Sequence, residues 1–218
     1  MFKKIISSYK LKNVLKPRNI VATVFLLAIC LVIGIIIHEC GHIIATWICG
    51  GSIKSIILFG FQLYPEINLS DWHGIVARVA WDGVKSEWKH GFILFMGAGT
   101  TMIAAYMLLL IVSFLRNKQT WKVLFITVLS IGCAWDIITY SLLPIIGIPH
   151  RIIIGYYYTE PVEGMILMGI PKTVGVMIVV LHMFIYHFVL FEILLKEISA
   201  IKDIKADKSI QGTIAVNT

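Results

Sequence analysis

Apolar and polar positions fall in long blocks along this chain. Four runs, about 20–49, 91–115, 121–146 and 173–195, are apolar almost throughout. Each meets the ~20 residues a helix needs to cross a bilayer, so each predicts a spanning helix. The pattern changes between the first and second runs. "GGSIKSIILFGFQLYPEINLS" opens on a glycine turn and continues in β-branched and aromatic residues. It predicts short strands lying at the membrane surface or packed against the bundle. "DWHGIVARVAWDGVKSEWKHG" then predicts an interfacial helix with Trp72, Trp81 and Trp88 at headgroup level. The connection at 147–172 is too apolar for a free loop and is expected to dip back toward the bundle, and the tail from 203 is expected to be mobile. The fold class is therefore mainly α and integral to a membrane, with about four transmembrane helices and a short β or interfacial segment after the first. One membrane-embedded domain, 20–195, follows a basic N-terminus, 1–19, and precedes a tail, 196–218.

Composition agrees with the pattern. The 218 residues are 58% hydrophobic and 14% charged, with a mean hydropathy of +0.87, which is membrane-grade. The net charge of +7 does not point to nucleic acid, because the basic residues collect at the ends of apolar runs. Lys3, Lys4, Lys10, Lys12, Lys16 and Arg18 precede the first run; Arg116, Lys118 and Lys122 lie between the second and third; Lys196, Lys202, Lys205 and Lys208 follow the fourth. Four spans with both termini cytoplasmic put all three clusters inside, which predicts a multi-pass protein of the cell membrane. Cys30, Cys40, Cys49 and Cys133 have no framework spacing and read as small apolar residues. The first apolar run is too long for the core of a signal peptide and is expected to stay as a helix.

The chemistry lies inside that first run, in "GIIIHECGHIIA" at 34–45. An ionisable group in hydrocarbon is costly and is usually kept for a function. His38 and His42 stand at i and i+4, on one face of a helix, and can bind one metal ion together. Glu39 sits beside that face, where it can act as a general base on a zinc-activated water. Two imidazoles with no redox demand suit zinc. Random placement would give an H-E-x-x-H somewhere in such a chain only roughly 0.7% of the time.

A catalytic zinc site needs a third protein ligand. Asp136, the only acid within the third run, is the first candidate. His38 lies ~27 Å along its helix from Ile20 and Asp136 ~21 Å from Lys122, so both arrive at a similar depth. The plainer identity for Asp136 is a buried acid bonded to a neighbouring helix. His150, in "GIPHR", is the alternative ligand. His182 and His187 are five apart and read as packing or hydrogen-bonding residues, while His73 and His90 read as interfacial. Glu160 and Glu163 reach the site only if their loop folds back, and a solvated loop is the default for them.

His38, Glu39, Gly41 and His42, followed by Gly50 and Gly51, then "FMGAGTTMIAAYMLL" and "YSLLPIIGIPH", resemble the site-2 protease family. The resemblance covers about 20–150. It implies an intramembrane zinc metalloprotease holding one zinc ion and cleaving a membrane-associated or transmembrane protein or peptide substrate. The family's Leu-Asp-Gly motif is absent; the matching place reads Ile148-Pro149-His150. The third ligand is then Asp136 if it has moved, or His150 if it has not. The other readings are a non-catalytic membrane zinc-binding protein and a small metal transporter.

Overall fold

The computed structural model describes residues 17–70, 76–115, 120–149 and 158–216. Helix α1 (Pro17–Ile48) leads into strands β1 (Ser52–Leu58), β2 (Phe61–Tyr64), β3 (Asn68–Leu69) and β4 (Ala77–Asp82). Helices α2 (Glu87–Leu115), α3 (Thr120–Ile145), α4 (Glu160–Leu167) and α5 (Lys172–Val216) follow. Four stretches are long and apolar enough to cross a membrane: Val21–Ile48, Glu87–Leu115, Lys122–Ile145 and Lys172–Lys196. They fall where the apolar runs place them. Helix α5 continues through Val216, so the tail expected to be mobile from 203 is helical.

Helix α1 stops because Gly50 takes a left-handed conformation, φ +78, which costs glycine little. The Gly51 N–H donates to the Thr46 carbonyl and the Gly50 N–H to the Trp47 carbonyl, the paired bonds that close a helix C-terminus. Gly169 ends α4 in the same way, with Ile170 and Gly169 donating to Met165 and Ile166.

The strands form one antiparallel sheet in the order β3-β2-β1-β4. Strand β4 corrects the expected interfacial helix. Ala77–Asp82 pairs along β1 from Leu58 back to Ser52. Its period of two turns Val79 and Trp81 to the side away from Arg78 and Asp82, and Val79 is buried. Trp72 lies outside the described residues. At the open end of the sheet, Lys54 holds the Asp82 carboxylate at 2.8 Å, and that hydrogen bond keeps the carboxyl below its usual range.

Two close approaches bring the bundle together. A Cβ on Gly41 would sit 2.1 Å from the Met96 carbonyl oxygen, so α1 and α2 touch through backbone. A Cβ on Gly91 would meet the Gly164 carbonyl at 2.4 Å, and one on Gly164 would meet the Gly91 carbonyl at 2.6 Å. This reciprocal contact seats α4 on α2. Apolar side chains fill the remaining space, with Ala105, Cys133 and Tyr186 at the centre of one cluster and Ala98, Ile137 and Val162 at the centre of another. His182 and His187 pack within α5's contacts as expected. His182 Nδ1 is 3.2 Å from the Tyr106 hydroxyl, and His187 Nδ1 donates to the Met183 carbonyl.

Candidate metal centre

Helix α1 delivers His38 and His42 with their rings inward, 1% and 3% exposed. Glu39 is also buried. The two Nε2 atoms are 3.2 Å apart. Glu160, in the first turn of α4, places Oε2 3.5 Å from His38 Nε2 and Oε1 3.5 Å from His42 Nε2. His38, His42 and Glu160 each offer a ligand atom within 4.8 Å of the others, a group that can hold a metal ion.

The protons decide what this group needs. His38 Nδ1 is 2.7 Å from Asp136 Oδ2, and His42 Nδ1 is 2.8 Å from the Ile93 carbonyl oxygen. Both partners accept, so each imidazole donates from Nδ1, and in its neutral form it turns a lone pair at Nε2 toward the other. A carboxylate faces the same point. In that form two lone pairs face the Glu160 carboxylate, a set that a cation, whether a proton or a metal ion, would satisfy. The spacing fits a metal. Ligands ~2.0–2.1 Å from a tetrahedral ion lie about 3.3–3.4 Å apart; the two Nε2 atoms are 3.2 Å apart, and each lies 3.5 Å from a different oxygen of the Glu160 carboxylate.

The space is also present. A Cβ on Gly97 of α2 would stand 2.4 Å from His42 Nε2 and 2.5 Å from His38 Nε2. Only a residue without that carbon leaves the convergence point open.

The geometry sets Asp136 and Glu160 on different sides of the His38 ring. Asp136 arrives at His38, as its depth along α3 predicts, but at Nδ1 and not on the Nε2 side. It is half-occupied by structure of its own: the buried Thr101 hydroxyl of α2 lies 2.9 Å from the same Oδ2. Asp136 is a partly buried acid bonded to neighbouring helices at the Nδ1 edge of His38, and Glu160 is the carboxylate on the Nε2 side. The alternative ligand, His150, lies outside the described residues, as does His73.

Glu160 is the residue that sequence reasoning left to solvent. Signals for it were present. Pro161 follows it in the first turn, a place where proline favours helix initiation. Gly169 ends the helix, and Gly164 between them permits the approach to α2. Tyr158 lies next to this turn; burial, then the Glu163 and Glu160 carboxylates, push its hydroxyl above the usual range.

Each imidazole also carries an aromatic ring. Tyr140 of α3 stacks on His38 with centroids 4.5 Å apart and planes at 28°. Trp81 of β4 stacks on His42 at 5.7 Å and 21°. Searches against family models, curated proteins and solved structures find no match to this chain.

Proposed function

We propose that this chain is an integral membrane zinc endopeptidase of the site-2 protease kind, acting on a membrane-associated or transmembrane protein or peptide. The observation that carries the reading is the convergence of His38 Nε2 and His42 Nε2, on a helix apolar enough to span, with the Glu160 carboxylate of the short helix α4. His38, His42 and Glu160 would hold one zinc ion. Zinc in such a site lowers the pKa of a water toward ~7 and polarises a carbonyl. Glu39, one residue from the histidine pair and buried with it, would serve as the general base for the attacking water and pass that proton to the leaving amine. Asp136 keeps the hydrogen of His38 on Nδ1, so that Nε2 stays a donor of electrons, a pairing common among zinc-binding histidines.

The basic clusters orient the chain with both termini in the cytoplasm of the cell membrane. The site then lies toward the outer side, near the end of α1 at Ile48. Strand β4 is an edge of the described sheet and runs past His42 through Trp81. An extended substrate added there exposes its peptide bond beside the site.

The test separates binding from chemistry. Glu39→Gln keeps about one equivalent of zinc and the wild-type helical content. It loses cleavage of single-span membrane peptides, read by mass spectrometry, by ~10²–10⁴-fold. Undiminished cleavage by this variant removes Glu39 as the base, whereas a zinc-loaded wild-type chain that cleaves no such peptide sinks the protease reading and leaves a metal-binding protein.

A further inference from the structure

We infer that Trp81 is a positioning residue for His42, locked in place by His90, so that the sheet and the metal centre behave as one mechanical unit. The inference rests on the metal reading above and concerns how one of its ligands is held.

The two imidazoles are secured in the same manner. Each gives its Nδ1 hydrogen to one acceptor and one face to an aromatic ring. The Nδ1 bond alone leaves a ring free to rock about the line of that bond; a ring on its face removes the freedom. For His38 both restraints, Asp136 and Tyr140, come from α3. For His42 they come from different places. The carbonyl belongs to Ile93 of α2, and the ring belongs to Trp81 of β4.

Trp81 is itself directed. Its side chain packs against Ala45, Cys49 and Ile93, which fixes its apolar edge between α1 and α2. Its Nε1–H donates to His90 Nδ1 at 3.3 Å, and the two rings lie 5.5 Å apart. His90 and Ile93 are three residues apart on α2 and share a face. One turn of α2 therefore holds both the acceptor on His42's edge and the latch on the ring over its face. Trp81 is thus a link by which a displacement of β4 would reach His42.

The test uses the full chain in detergent micelles, stripped of metal and titrated with Co²⁺, whose visible absorption reports both affinity and ligand geometry. Trp81→Ala is expected to bind Co²⁺ ~10–100-fold more weakly, the range for groups that orient ligands, with an altered visible band. Trp81→Phe restores a flat ring and recovers most of the affinity. His90→Ala weakens binding in the wild-type background but not in the Trp81→Phe background, where no N–H remains to be held. That pair keeps the proposal testable if Trp81→Ala does not fold. Wild-type affinity and spectrum in Trp81→Ala overturn it, as does an equal effect of His90→Ala in both backgrounds. His38→Ala runs beside them: Co²⁺ binding that survives this change removes the metal reading itself, a failure distinct from that of the Trp81 latch.

Discussion

Gly97→Ala is the sharpest perturbation of the centre, because it adds one methyl group and removes no ligand. The carbon it adds stands 2.4 and 2.5 Å from the two Nε2 atoms. Those atoms are 3.2 Å apart, so an ion ~2.0–2.1 Å from each lies at most about 3 Å from the new carbon, whichever side it takes. The methyl also contacts both nitrogens directly, and each ring must retreat by most of an ångström. Orienting groups around a metal are worth ~10–100-fold in affinity, and displacement of both ligands together is expected to reach or exceed ~100-fold. The fold should survive. Alanine is favoured over glycine within a helix by ~1 kcal/mol, which offsets part of the ~1–3 kcal/mol typical of overpacking. The assay is zinc content by mass spectrometry, with competition against a chelator of known affinity and thermal unfolding in micelles. Gly132→Ala is the control, since a Cβ there meets nothing within 4 Å. If Gly97→Ala retains one equivalent of zinc at wild-type affinity, the convergence point is not where the metal binds and the centre has been misplaced.

Glu160→Ala is expected to abolish stoichiometric zinc, whereas Asp136→Asn retains zinc at ~10–100-fold lower affinity; the reverse order, measured by the same chelator competition, restores Asp136 as the ligand. Gly164→Val drives side-chain atoms into the Gly91 carbonyl, so it should lift α4, carry Glu160 away and cost zinc while His38 and His42 stay intact; unchanged zinc content shows that α4 does not position the site. A single cysteine at position 118 should be labelled by an impermeant maleimide only from the cytoplasm, and one replacing the exposed Ile67 only from outside; labelling of both from one side overturns the proposed orientation.

Much of the architecture follows from composition and local spacing. A run of 20 or more apolar residues admits few conformations other than a helix that satisfies its own backbone hydrogen bonds, so the four long helices are set by the chain itself. The His38–His42 pair is equally local, because positions i and i+4 share a face in any helix. The Gly50–Gly51 turn is local too, and its left-handed glycine needs no tertiary support. Strand β4 is not of this kind. Its tryptophan and its charges suit an interfacial helix as well, and only pairing with β1, some 25 residues earlier in register, selects the strand.

The remainder of the site is tertiary. Distance along a helix places Asp136 at the level of His38, and the two do meet at 2.7 Å. Depth, however, says nothing about rotation. A helix that is apolar on every side has no polar stripe to fix which way it turns, so the sequence cannot decide whether Asp136 meets Nδ1 or the Nε2 side. That choice is made by the Thr101 contact and by the backbone approach of α1 to α2 at Gly41. Glu160 depends on a further non-local event, the seating of a short helix on α2 through Gly91 and Gly164. The histidine pair is thus a property of one helix, while the approach of Glu160 and the open space at Gly97 exist only once α1, α2 and α4 have packed, because each requires atoms from segments that local spacing cannot bring together.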